Sequence, residues 1–378
     1  MGKIFYLTTA QSTQEFERLL PKWRVSPNLS NQNFHNKLIR ALATAKEIDV
    51  ISARPINSHF FIPRLFKKTV KDNNITWKYI SVSVDKIDKK LFFYRRIRTA
   101  IGEIKKDDVI VVDTLNLSLL KAAMKFAKAN EVKIIGICTD NPLNISYTSQ
   151  KYKENLLNLG RQLDGFICLT TKLNDLYNPN SKPFVIIDGV TEPTERKEIK
   201  NKINGPYIIF GGSLMYEYGI KNLINAFISL GREDLKLVIC GHHEQKNFKS
   251  YIKHFKNIIY LGALTYSEIN ELEKDAILAV NPRPINDDID LYSFPSKTLE
   301  YLANGVLTIS VKSPLLENKY EDCLIWAESG EAADLKAAIE KALSLDPKEA
   351  EKIKKTAIKT VNDRTSFENI SKIIDTLF

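Results

Sequence analysis

Short runs of Val, Ile and Leu recur along the chain, separated by stretches in which apolar residues return every three or four positions. Runs without polar alternation predict strands covered on both faces, and the 3.6-residue periodicity between them predicts helices. In the first half the predicted strands are Ile4–Thr8, Asp49–Ala53, Ile75–Val82, Val109–Asp113, Lys133–Cys138, Gly165–Leu169 and Phe184–Ile187. A second set follows at Tyr207–Phe210, Lys236–Cys240, Ile258–Leu261, Ile277–Val280, Leu307–Val311 and Cys323–Trp326. Parallel sheets with helices on both faces are therefore expected twice over. The charged, apolar-poor stretch Thr191–Pro206, closed by Gly205-Pro206, separates the two sets. The division is 1–195, a linker at 196–206, a second domain at 207–365, and an amphipathic helix at 366–378 that can pack on either domain.

The length of 378 residues fits two cores better than one. Cys138, Cys168, Cys240 and Cys323 are far apart, with no CxxC pair and no Cys/His cluster. Neither a disulfide framework nor a zinc site is expected, so a reducing cytoplasm fits best. The start Met1-Gly2-Lys3-Ile4-Phe5-Tyr6-Leu7 enters a strand without an apolar leader. Tyr6 stands where a myristoylation signal needs Ser or Thr. No apolar run approaches the ~20 residues that span a bilayer. The net charge of +10 is concentrated in residues 60–68 and 86–98, where cations alternate with aromatics. These are either solvated helix faces with a buried aromatic side, or a peripheral contact for anionic lipid at the inner face of a membrane. No nucleic-acid motif accompanies them, and nucleic acid is not expected as a partner.

Ligands of doubly wound sheets bind beyond the carboxyl ends of the strands, so the loops there carry most of the functional weight. In Phe210-Gly211-Gly212-Ser213-Leu214 the glycines let backbone approach a ligand and Ser213 offers a hydroxyl, or the loop is simply a tight turn. Cys240-Gly241-His242-His243 follows the next strand, and its paired histidines lack the partners a metal needs. Leu261-Gly262-Ala263-Leu264 can hold a base through its backbone. A fourth loop carries Arg283 and ends at Tyr292-Ser293-Phe294-Pro295-Ser296, where a helix is predicted to start. Ser293 or Ser296 is expected to cap it, with Lys297 and Glu300 on one face. A helix start with exposed N–H groups, a hydroxyl and a lysine suits a phosphate, and Arg283 with Lys297 would flank a diphosphate. In the first domain Asp140, within Thr139-Asp140-Asn141-Pro142, either projects beyond its strand or caps the following helix. Asn33 and His35 are expected to open a helix beside the first strand's loop; His35 is either an acceptor-side group or structural.

Residues 292–305, Tyr-Ser-Phe-Pro-Ser-Lys-Thr-Leu-Glu-Tyr-Leu-Ala-Asn-Gly, resemble the donor-binding segment of the retaining glycosyltransferase family 4 group. Phe210-Gly-Gly-Ser-Leu214, Tyr218-Gly-Ile-Lys-Asn-Leu223, Val238-Ile-Cys-Gly241 and Tyr260-Leu-Gly-Ala-Leu264 occur in that family's order. The resemblance implies an α/β fold of GT-B type, two Rossmann-like doubly wound domains facing across a cleft that closes to exclude water. The last helix would then cross back to the first domain. It implies a metal-independent hexosyl transfer from a nucleotide-sugar, UDP-linked by expectation, with no cofactor. The acceptor would be a hydroxyl of a glycan, lipid-linked glycan or glycoprotein in surface polysaccharide or glycoconjugate synthesis. By this resemblance Lys297 and Ser296 would meet the diphosphate and Glu300 the ribose. From their positions in the chain, Asp140, Arg283 and Lys297 are the candidate catalytic residues.

Three positions depart from the pattern. Counting back from Glu300, the family's other glutamate falls on Tyr292, with Asp287, Asp288 and Asp290 nearby. Tyr218 stands where a lysine is frequent, which leaves Arg283 and Lys297 as the diphosphate's cations. The loop Thr8-Thr9-Ala10-Gln11-Ser12 lacks the family's glycine pair. Two alternatives stay open: a nucleotide-sugar epimerase of the same architecture, and a glycosyltransferase-like subunit that binds without turnover.

Overall fold

A computed structural model describes residues 2–19, 28–53, 68–80, 93–145, 148–192, 203–242, 246–285 and 290–378. They pack as two compact units, Met1–Val190 with Thr365–Phe378, and Thr191–Arg364.

The first unit holds an eight-stranded sheet of β1 (Ile4–Thr8), β2 (Ile48–Ala53), β3 (Lys68–Asp72), β4 (Ile75–Ile80), β5 (Val109–Asp113), β6 (Lys133–Cys138), β7 (Gly165–Cys168) and β8 (Phe184–Ile186). Their order is β3-β4-β2-β1-β5-β6-β7-β8. All neighbours are parallel except β3 and β4, an antiparallel pair the sequence reading does not contain. Its turn is Asp72-Asn73-Asn74, and Asn73 takes a φ of 49°, a left-handed conformation that asparagine tolerates. The strand order reverses between the parallel neighbours β1 and β5, where Val109 to Val112 lie in register with Ile4 to Leu7.

The second unit holds β9 (Tyr207–Ser213), β10 (Lys236–His242), β11 (Ile258–Gly262), β12 (Leu278–Asn281), β13 (Thr308–Val311) and β14 (Ile325–Ala327). The order β11-β10-β9-β12-β13-β14 is the doubly wound dinucleotide-binding arrangement, with its switch between β9 and β12. Successive residues of β9 enter opposite cores. Ile208 and Phe210 pack with Leu237, Ile239 and Ile309, whereas Tyr207 and Ile209 pack with Val238, Cys240 and Leu272. Both faces are covered, which is why the strands read as unbroken apolar runs.

The last helix, Phe367–Asp375, belongs to the first unit. Its Ile370 and Ile374 join Leu38, Ile39 and Leu42 of helix Leu29–Leu42 in that core. Lys46 pairs with Asp375 and lies 4.3 Å from the centre of the Phe378 ring, which ties the chain's end down. Of the basic-aromatic segments, residues 60–67 and 86–92 lie outside the described residues. Residues 93–98 open the helix Phe93–Ile101, with Phe93 and Ile97 buried and Arg95 and Arg98 exposed.

Candidate functional site

At the carboxyl end of the second sheet, the glycine-rich segments extend strands instead of forming loops. Gly211, Gly212 and Ser213 pair with Cys240, Gly241 and His242 as the last residues of β9 and β10. A Cβ on Gly241 would lie 1.8 Å from the Gly212 carbonyl oxygen, so only glycine lets the two strands come together there. The strands end where the Leu214 amide donates to the His242 carbonyl at 2.9 Å. The Ser213 Oγ is buried and makes no hydrogen bond with the described residues. His243 lies outside the described residues. At the end of β11, Gly262 turns the chain at a φ of 74°. Leu264 follows, half-buried against the Tyr207–Cys240 core, before the capping box of Thr265 and Glu268.

Across the switch point, β12 runs into Pro282 and Arg283. Gly219 at φ 82° packs so closely that a Cβ would sit 2.1 Å from the Pro282 carbonyl oxygen. Tyr218 is thereby brought under Arg283, whose guanidinium carbon is 5.5 Å from the ring centre. The same guanidinium pairs with Asp290 at 2.8 Å. Asp287 and Asp288 lie outside the described residues.

The helix Ser296–Ala303 begins at the expected residue, but its cap differs. Pro295 takes the cap position, and neither Ser293 nor Ser296 caps the helix through its side chain. The Ser296 and Thr298 amides donate to the Phe294 and Pro295 carbonyls at 2.9 and 3.0 Å, so these two N–H groups are already engaged. Proline supplies no donor and fixes its own φ, here −76°, at the turn into the helix. Phe294 is buried edge-on to Tyr320, a core anchor, while Tyr292, Ser293 and Pro295 are half-buried and Ser296 is exposed. Asn281, the last residue of β12, donates from Nδ2 to Thr298 Oγ1 at 3.0 Å and fixes the helix start against the strand end.

Lys297 Nζ donates to Glu300 Oε2 at 2.5 Å, the i,i+3 pairing that the spacing predicts. A second carboxylate, Glu273 of helix Tyr266–Asp275, has Oε1 3.8 Å from the same nitrogen. Burial works against the ammonium, but Glu300 and then Glu273 outweigh it and raise its pKa. Tyr301 accepts from the Gly211 amide at 2.8 Å and donates to its carbonyl at 3.3 Å, clamping the helix to β9. Burial, followed by the charge on Glu273, pushes the Cys240 thiol up to about 12. The same two causes raise the Tyr301 phenol. Sequence reasoning missed Glu273 and Tyr301. Tyr301 was legible as a hydroxyl one turn after Lys297 on the same helix face. Glu273 sits among Glu268, Glu271 and Lys274, a run that reads as a solvated surface.

In the first unit Asp140 lies exposed beyond β6, and it is Asn141 that caps the turn Pro142–Asn144, accepting from the Leu143 amide at 2.9 Å. Helix Leu29–Leu42 begins at Leu29 behind Asn28, so Asn33 and His35 lie in its second turn instead of opening it. Asn33 is half-buried and His35 fully enclosed. The imidazole Nδ1 shares a hydrogen bond of 2.6 Å with the Tyr6 hydroxyl, and Nε2 is 3.5 Å from Asp113 Oδ2. Burial acts to raise the Asp113 pKa, yet His35, the Leu115 amide and Asn31 bring it below its ordinary value. The loop after β1 is held by side chains in place of glycines. Gln32 accepts from the Gln11 amide at 2.9 Å and donates to its carbonyl at 2.7 Å, while Asn36 donates to that carbonyl at 2.8 Å.

Residues 191–360 match the family described as Glycosyl transferases group 1. Among solved structures the chain is similar to a sucrose-phosphate synthase from Thermosynechococcus elongatus, at 11% identity and a TM-score of 0.72, covering 99% of this chain and 98% of that one. It is similar to Anabaena HepE in complex with UDP and glucose, at 14% identity and a TM-score of 0.65, covering 100% and 99%. It is also similar to an E. coli trehalose-6-phosphate structure bound with UDP-2-fluoro glucose, at 12% identity and a TM-score of 0.66, covering 99% and 98%. At such identities the likeness establishes the GT-B fold. No curated protein matches the chain by sequence.

Proposed function

We propose that this chain, a glycosyltransferase of GT-B fold with a group 1 domain over residues 191–360, transfers a hexose from a UDP-linked donor with retention of configuration. The observation that carries the reading is the Lys297–Glu300 pair in the first two turns of a helix beside the sheet's switch point. There the lysine would meet the diphosphate and Glu300 would exchange the lysine for ribose hydroxyls. Ser213, whose buried Oγ makes no hydrogen bond with the described residues, would donate to a phosphate oxygen and recover the cost of its burial. Arg283 would add a second cation, steadied by Tyr218 and Asp290. The UDP and the UDP-sugar named for two structural neighbours favour a uridine nucleotide. Retention and independence of metal are what the resemblance of 292–305 implies.

In this scheme the bond between the sugar's anomeric carbon and the diphosphate oxygen breaks as the acceptor oxygen bonds to the same face. The acceptor's proton passes to the departing diphosphate, whose growing charge Lys297 and Arg283 stabilise. Asp140, exposed beyond β6, is the proposed acceptor-side carboxylate. The acceptor proposed is a glycan, lipid-linked glycan or glycoprotein hydroxyl in glycoconjugate synthesis at the inner face of the membrane. Among the described residues no helix is long and apolar enough to cross one.

The donor-site assignment is tested by titrating UDP into the wild-type chain and Lys297→Ala. Loss of a charge-assisted contact to phosphate is expected to weaken binding by roughly tenfold or more. Unchanged affinity would remove Lys297 from the site.

A further inference from the structure

Glu273 belongs to none of the sequence motifs, yet it stands behind the central cation of the donor site. Its side chain is fully enclosed, with Oε1 3.8 Å from Lys297 Nζ. Its Oε2 accepts from Asn304 Nδ2 at 2.7 Å, and Asn304 directly follows the helix that carries the lysine. Asn304 Nδ2 also donates to Asn270 Oδ1 at 3.1 Å, on the helix that carries Glu273. The carboxylate is thus tied, through Asn304, to the end of the helix that carries Lys297. It also lies under the end of β9, with Oε1 3.8 Å from where a Cβ on Gly211 would stand. Glu300 differs: 11% of its side chain is exposed, and it holds Lys297 from one turn along the same helix.

Among the described residues, two carboxylates, Glu300 and Glu273, face the one Lys297 ammonium where the diphosphate is proposed to bind. The charge of Arg283 is partly offset by Asp290 at 2.8 Å. A bare anion therefore gains little from Lys297. A nucleotide is different, since its ribose hydroxyls can engage Glu300 while its phosphates take over the lysine.

We propose that Glu273 is a positioning residue, a fixed counter-charge that holds Lys297 in place and limits its grip on phosphate. Firm binding then depends on the ribose, and the released nucleoside diphosphate is not retained by an unopposed cation. This inference rests on the donor-site reading given above. A unit charge this close alters the affinity for an anion by roughly tenfold even with strong dielectric screening.

The test is calorimetric titration of UDP and of inorganic pyrophosphate into the full chain, as wild type, Glu273→Gln and Glu300→Gln. Wild type is expected to bind UDP at least roughly tenfold more tightly than pyrophosphate. Glu273→Gln keeps the shape and removes the charge, and is expected to tighten both ligands by about tenfold. Glu300→Gln is expected to tighten pyrophosphate and weaken UDP. A purely structural role for Glu273 would weaken both ligands, so tightening is the distinguishing result. Glu273→Met, similar in length and uncharged, serves if the glutamine variant does not fold. A folded Glu273 variant with unchanged or weaker binding of both ligands overturns the inference, as does wild-type pyrophosphate binding equal to that of UDP. If Lys297→Ala abolishes UDP binding while Glu273→Gln is silent, only this inference fails. If wild type binds no UDP, the donor-site reading fails with it.

Discussion

Asp113 shows how far a single side chain can be read from the sequence. It ends a strand predicted residue for residue, but its partners His35 and Asn31 come from a helix some eighty positions earlier, and no spacing rule joins them. Burial alone would favour its protonated form. The net lowering of its pKa means that the fold stabilises the charged carboxylate. Its contribution is therefore complete above the ordinary value of 3.8 and is lost as pH falls through the depressed folded value. Asp113→Asn is expected to cost about 1–3 kcal/mol near neutrality. The variant should also lose stability less steeply than wild type below pH ~4, as urea melts across pH would record. A variant as stable as wild type, with the same acid slope, would contradict this. His35 is enclosed beside it, so anything the imidazole contributes toward an acceptor passes through the groups it holds.

Elements were legible where one pattern dominated. Unbroken apolar runs located the parallel strands because both sheet faces are covered, and strand ends fall within three residues of those expected. The exceptions have physical causes. β3 carries Lys and Asp on an edge, so hydrophobicity is silent, although Asp72-Asn73-Asn74 between two β-rich segments is a hairpin signal. The glycines at 211, 212 and 241 suggest turns, yet they serve the close pairing of β9 with β10. Capping by Ser293 or Ser296 was a local inference, and Pro295 displaced it. Glycine 219 makes the connection between elements testable. Gly219→Ala would force a left-handed φ on alanine, costing about 1–2 kcal/mol, and drive its Cβ into Pro282. Arg283 would shift with that proline, so a drop in thermal midpoint should accompany weaker UDP binding. Wild-type affinity in a destabilised variant would detach Arg283 from the donor site.

At the scale of the whole molecule, the α/β class and the two-sheet plan follow from the chain's periodicity, and the second unit has the strand order of the doubly wound dinucleotide-binding arrangement. The candidate site was legible in proportion to its locality. Lys297 and Glu300 lie three residues apart and were found together, whereas Glu273 reaches them only through tertiary packing. The sugar end has no such local motif, since Tyr292 occupies the position of an acid. The claim that joins these observations is that a sugar leaves a nucleotide held in the second unit and arrives on a hydroxyl with its configuration kept. It is tested most directly by incubating the chain with a panel of nucleotide-sugars and hydroxyl acceptors, following nucleoside diphosphate release, and assigning the product anomer by NMR. The account predicts UDP release that depends on acceptor, with the anomeric configuration of the donor retained in the product. An isomerised donor, an inverted product, or no turnover with any donor would contradict it.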